Sequence, residues 1–73
     1  MFWRRQRAGT RVSPNTQLCS TLIGDDGAVR GSVTLFGSTS YEARDKNGQR
    51  LDGGFRSESA ARSRVIRSLP KKR

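Results

Sequence analysis

At 73 residues, 32% of them hydrophobic and 29% charged, the chain has room for one small domain with a modest core. One cysteine and no histidine exclude an internal disulfide, a zinc site of any standard type and the usual general base. A formal charge of +9 points to an anionic partner, because self-repulsion on that scale costs stability unless something offsets it.

The charge is concentrated at the two ends. Residues 1–12 carry Arg4, Arg5, Arg7 and Arg11 without an acid, and residues 56–73 set seven basic groups against Glu58 alone. The stretch 13–55 is close to neutral. Residues 1–16 mix arginine with Gly9, Ser13, Pro14 and Asn15 and hold no sustained period, so they predict a flexible basic arm. Met1-Phe2-Trp3-Arg4-Arg5 has charge but no apolar stretch behind it, unlike a secretory leader, and no apolar run is long enough to span a membrane. With a lone cysteine, a reducing, cytoplasmic setting is expected.

From residue 17 the pattern alternates. Four strands are expected at 17–23, 28–36, 40–45 and 49–55, joined by Gly24-Asp25-Asp26-Gly27, Gly37-Ser38-Thr39 and Lys46-Asn47-Gly48. Register tests the turns, since a one-residue slip exchanges core and solvent. A three-residue Lys46-Asn47-Gly48 turn with Gly48 left-handed pairs Asp45 with Gln49, setting Ala43 against Leu51 and Tyr41 against Gly53. Pairing Phe36 with Ser40 sets Leu35 against Tyr41 and Val33 against Ala43. Pairing Ile23 with Ala28 sets Leu22 against Val29 and Leu18 against Val33. The predicted apolar face is then Leu18, Leu22, Val29, Val33, Leu35, Tyr41, Ala43, Leu51 and Phe55.

Residues 57–69 would cover that face as a helix. Ser57 suits the N-cap, Glu58 the positive helix start, and Pro70 the stop. Ala61, Val65 and Leu69 form the inward stripe with Ile66 beside it, while Arg64 and Arg67 face outward. Arg62 falls within the stripe, so its stem must run along the sheet edge with the charge in water. The expected fold is α+β: an antiparallel three- to four-stranded meander with one C-terminal helix on one face. The domain occupies 17–69, between the arm at 1–16 and a basic tail at 70–73.

No phosphate-binding glycine loop or G-x-S-x-G elbow is present, so no catalysis and no cofactor are expected. Asp25-Asp26 lacks calcium-loop spacing and reads as a turn former. Cys19 alternates with the core positions; it reads as a half-buried filler on the other sheet face, with a reactive thiol as the alternative.

The face away from the helix should display Thr21, Arg30, Ser32, Thr34, Glu42, Arg44, Lys46, Arg50 and Asp52. Arg30 lies across from Lys46, Ser32 across from Arg44, and Arg44 opposite Arg50. That last pairing is unfavourable without an anion, although Glu42 and Asp52 sit on its diagonals. Arginines can fork to guanine edges and hydroxyls can reach bases or phosphates. Arg30, Ser32, Thr34, Arg44, Lys46 and Arg50 are therefore candidate nucleic-acid contacts; the other reading is an ordinary solvated face laced by salt bridges. Candidate phosphate contacts are Arg4, Arg5, Arg7 and Arg11 in the arm, Arg64 and Arg67 on the helix, and Lys71, Lys72 and Arg73 in the tail. Phe2 and Trp3 could stack on unpaired bases, Trp3 being the stacking candidate, insert into an anionic membrane surface, or fold back onto the domain.

The segment Tyr41-Glu42-Ala43-Arg44-Asp45-Lys46-Asn47-Gly48-Gln49-Arg50, followed by Gly53-Gly54-Phe55-Arg56-Ser57-Glu58-Ser59-Ala60-Ala61, resembles the AP2-type DNA-binding domain. It is also similar to the N-terminal arm-binding domains of phage and transposon tyrosine integrases. Shared are a strand with an aromatic start, a Lys/Asn-Gly turn, a basic strand ending Gly-x-Phe, and an Ala-rich helix. The likeness covers less than half of the chain and its motifs are generic; the strand at 17–23 and the weakly amphipathic helix depart from the pattern. It implies a three-stranded sheet that enters the DNA major groove through exposed arginines, here Arg30, Arg44 and Arg50. A further similarity, to a small uncharacterised bacterial sheet-plus-helix family, carries no function across. The resulting expectation is a double-stranded DNA-binding accessory or regulatory protein of a phage or mobile element. Two alternatives stand beside it: an RNA-binding protein, and an interaction module that binds and inhibits an acidic partner protein.

Overall fold

The computed structural model describes residues 1–5, 11–13, 15–37 and 39–69, with 11–13 described in backbone only. Six strands and one helix follow in chain order: β1 Phe2–Arg5, β2 Arg11–Ser13, β3 Thr16–Ile23, β4 Val29–Phe36, β5 Ser40–Asp45, β6 Arg50–Phe55 and α1 Glu58–Ser68. The sheet is antiparallel in the order β1-β3-β4-β5-β6, with β2 sharing the outer edge of β3 with β1. The architecture is α+β, a meander with its C-terminal helix packed on β4, β5 and β6.

Residues 2–5 and 11–13 are edge strands, where the sequence suggested a free arm. Phe2, Trp3, Arg4 and Arg5 pair with Ile23, Leu22, Thr21 and Ser20. The period is two after all: Trp3 reaches the core beside Leu22, and β1 satisfies backbone groups that β3 would otherwise leave open. Arg7, Pro70, Lys71, Lys72 and Arg73 lie outside the described residues, as does the side chain of Arg11.

The β3–β4 turn differs from the expected one and moves the core. Gly24 donates to the Ala28 carbonyl at 2.8 Å and Gly27 to the Gly24 carbonyl at 2.9 Å, so the turn is Asp25-Asp26-Gly27. It repeats the β5–β6 turn, where Asp45 donates to Gln49 at 2.9 Å and Gly48 to Asp45 at 3.0 Å. Gly27 and Gly48 hold matching φ values of 81° and 83°, which side chains with a Cβ resist. Beyond the turn, Ile23 pairs with Val29, Leu22 with Gly31, Ser20 with Val33 and Leu18 with Thr34, with bulges at Arg30 and Cys19. Leu18 and Val29 therefore leave the predicted apolar face, and Cys19 packs against the core instead of lying across from it.

The other registers hold more closely. Phe36 pairs with Ser40, Leu35 with Tyr41, Val33 with Ala43 and Ser32 with Arg44, as the pattern required. In β5–β6 the pair Arg44–Arg50 forms, but two bulges then set Ala43 against Asp52 and Tyr41 against Phe55. Those bulges let both Leu51 and Phe55 pack inward.

Leu22, Val33, Ala43, Ala61 and Val65 form the buried centre, flanked by Trp3, Cys19, Tyr41, Leu51, Phe55 and Leu69. Ser57 caps α1 by accepting from the Ala60 N–H, and Leu69 is the C-cap. Ile66 is exposed, since the apolar packing of the helix on the sheet runs through Ala61, Val65 and Leu69. Gly31 permits the close approach: a Cβ there would stand 2.4 Å from Val65 Cγ1 and 3.0 Å from the Arg44 carbonyl oxygen. Among the described residues no helix is long and apolar enough to cross a membrane.

Candidate nucleic-acid interface

The sheet pairs align five residues into one transverse row on the face opposite α1. Arg4 pairs with Thr21, Thr21 with Ser32, Ser32 with Arg44, and Arg44 with Arg50. Paired residues point to the same face, and strands lie about 4.8 Å apart, so the row is roughly 19 Å long. Basic groups stand at both ends and hydroxyls between them.

Glu42 organises the basic end. Its carboxylate accepts from Arg44 Nη2 through one oxygen and from Arg50 Nη1 through the other, both at 3.2 Å. This resolves the repulsion between Arg44 and Arg50 that the register imposes. Arg44 also donates from Nε to Thr34 Oγ1 at 3.2 Å and from Nη1 to the Gly48 carbonyl at 2.8 Å. Every guanidinium nitrogen of Arg44 is thus engaged, and the side chain lies over Thr34, which is fully buried. Arg50 is held at one nitrogen and its side chain is 63% exposed. The predicted binding arginines are consequently unequal: Arg44 is a fixed plane and Arg50 an available charge.

The remaining predicted contacts are dispersed. Arg30 sits in the β4 bulge and donates to Asp26 at 3.0 Å, and its expected pairing with Lys46 does not form because the β4–β5 ladder ends at Gly31–Asp45. The Ala28 N–H holds the Asp26 carboxyl below its usual range, with Arg30 adding to the effect. Lys46 is exposed in the turn, off the row. Arg5, Arg64 and Arg67 belong to the helix side: Arg5 lies 3.9 Å from Glu58, and Arg64 3.9 Å from Asp52. These side chains lie on the other face of the sheet from the transverse row.

A second network, missed from the sequence, joins β1, β3 and α1. Ser20, fully buried, donates to Glu58 Oε2 at 2.7 Å and accepts from Arg62 Nε at 3.3 Å. Arg62 also donates from Nη2 to the same Glu58 oxygen at 2.8 Å, and its guanidinium carbon stands 4.8 Å over the Trp3 ring. Trp3 therefore folds back onto the domain, with one ring face taken. Burial pushes the Glu58 carboxyl up, but Ser20, Arg62 and Arg5 outweigh it, and the group ends below its ordinary value. Burial pushes the neighbouring Cys19 thiol up, with Glu58 adding to the rise and Arg5 and Arg62 opposing it. The i,i+4 spacing of Glu58 and Arg62 was the sequence signal for their pairing; nothing in the sequence marked Ser20.

Among the described residues no group of three or more Asp, Glu or Cys side chains is placed to hold a metal ion. No family model matches this chain, and searches of the curated proteins and of the solved structures find no similar one.

Proposed function

We propose that the protein binds nucleic acid through the sheet face opposite α1. The observation that carries this reading is the transverse row from Arg4 to Arg50, with Glu42 holding two arginines side by side on a chain of net charge +9. Arg4, Arg50 and the nearby Lys46 supply exposed positive charge, Arg44 supplies an ordered guanidinium, and Ser32 a hydroxyl between them.

Duplex DNA, read by a sheet inserted into the major groove, is the form the sequence pattern favours. The row bears on how that could occur, because roughly 19 Å exceeds a major groove about 12 Å wide. A duplex would be straddled, with Arg4 and Arg50 on opposite phosphate backbones. An accessory or regulatory role in a phage or mobile element belongs to the same proposal.

The test is fluorescence anisotropy with labelled duplex DNA, single-stranded DNA and RNA across a salt series. Three or four phosphate contacts on this face give a log–log slope of about −2 to −4, or roughly 15- to 250-fold weaker binding at 200 than at 50 mM salt. Arg50→Gln should reduce the slope by about one. Absence of binding to all three at low salt would overturn the reading, and a nuclease-resistant complex with an acidic protein would replace it.

A further inference from the structure

The arginine row does not account for two aromatic rings on the same face. Phe2 and Phe36 are 57% and 49% exposed, so two of the three phenylalanines in a domain short of core material point to water. Register places both beside the row. Phe2 pairs with Ile23, two register positions along the strand from Arg4–Thr21, while Trp3 and Leu22 between them face the helix. Phe36 pairs with Ser40 and stands in phase with Thr34 and Ser32, while Val33 faces the core. At about 3.3 Å per residue, Phe2 lies roughly 7 Å from the row on one side and Phe36 roughly 13 Å on the other.

Resting on the nucleic-acid reading above, we propose that the ligand of this face is single-stranded, with bases stacked on Phe2 and Phe36 and the backbone drawn across by Arg4 and Arg50. Three observations favour a single strand over a duplex. A duplex hides the flat faces of its bases inside the stack, whereas a single strand offers them to exposed rings. Arg44 is poorly placed to fork to a guanine edge, since three of its five N–H donors are held by Thr34, Gly48 and Glu42 and its side chain is only 23% exposed. So fixed, that guanidinium adds a planar cation to the same face. Laid across a duplex, the row would also straddle the major groove and touch backbones rather than base edges.

The experiment measures anisotropy of labelled oligo-dT, oligo-U and a mixed-sequence duplex, each of about 12 nucleotides per strand to match the usual site sizes. Binding is compared for the native chain and for Phe2→Ala, Phe36→Ala and Phe36→Trp, with thermal melting as the control for folding. Single strands should bind more tightly than duplex. Each alanine variant should weaken single-strand binding about five- to 150-fold while leaving duplex binding unchanged. Phe36→Trp should retain binding and show quenching of the new indole. The oligo-dT and oligo-U arms tell whether DNA or RNA is preferred. Duplex binding as tight as single-strand binding, with both alanine variants neutral, would overturn this proposal and leave the nucleic-acid reading standing. No binding to any probe at low salt would overturn both.

Discussion

Replacing Glu42 with glutamine removes the carboxylate between Arg44 and Arg50 while keeping the side-chain shape. The Glu42 side chain is 8% exposed, Arg44 23% and Arg50 63%, so the two halves of the bridge differ in worth. A charge-assisted hydrogen bond at a buried site contributes about 1.5–3 kcal/mol, and the Arg44 half belongs near the lower end of that range. The Arg50 half is screened by water and contributes about 0.5 kcal/mol. Leaving two like charges directly across a strand pair adds a penalty of roughly 0.2–1 kcal/mol. The expected loss for Glu42→Gln is therefore about 2–3 kcal/mol, which for a domain of this size lowers Tm by roughly 10–20 °C. Urea and thermal unfolding followed by circular dichroism measure it directly. Arg50→Gln should cost less than about 1 kcal/mol, and a double-mutant cycle should give a larger coupling for Glu42–Arg44 than for Glu42–Arg50. A Glu42→Gln variant neutral within about 0.5 kcal/mol, or an Arg50→Gln variant as damaging as Glu42→Gln, would refute this division of the bridge.

Gly31→Ala forces a methyl into Val65 and the Arg44 carbonyl, so it should destabilise the domain by about 1–3 kcal/mol, and pairing it with Val65→Ala should recover part of the loss in the same unfolding assay. Because the folded-state pKa of Glu58 is below its unfolded value, its contribution is present in full above the unfolded pKa and fades as pH falls through the folded one. Urea midpoints taken from pH 7 downward should show that acid-side loss, and Glu58→Gln should flatten it. Cys19, with a raised pKa and a half-buried thiol, should react with iodoacetamide at pH 8 much more slowly in the native protein than in urea; equal rates would show that β1 and α1 leave it open.

Strand alternation, turn chemistry and caps were legible because each rests on a few adjacent residues. The β4–β5 register follows from apolar positions alone, and Ser57 and Glu58 announce the helix. The rule that identified Lys46-Asn47-Gly48 as a three-residue turn applies equally to Asp25-Asp26-Gly27. Reading Gly24 as part of that loop slipped the β3–β4 pairing next to the turn, setting Val29 against Leu22 instead of Ile23, while the bulge at Cys19 is what turns Leu18 to the other face. The bulges at Cys19 and Arg30 were not legible, since an extra residue in a ladder leaves no mark on its neighbours' types. Phe2-Trp3-Arg4-Arg5 looked like an arm because four residues hold only one alternation; what fixes them is Leu22 in β3 and Arg62 in α1, 19 and 59 positions beyond Trp3. The unequal roles of Arg44 and Arg50 likewise depend on where Glu42 sits in three dimensions.

The two borders of the sheet affect the protein at high concentration. A sheet built on two eight-residue strands is a template on which another chain could extend, unless its margins are spoiled. Here one margin is split between a four-residue strand bearing Arg4 and Arg5 and a separate three-residue strand. The other, β6, carries two bulges and two consecutive glycines, Gly53 and Gly54. An incoming strand would meet fixed positive charge on one side and a broken ladder on the other. The breaks in regularity that make this sequence hard to read thus also hinder fibrous assembly.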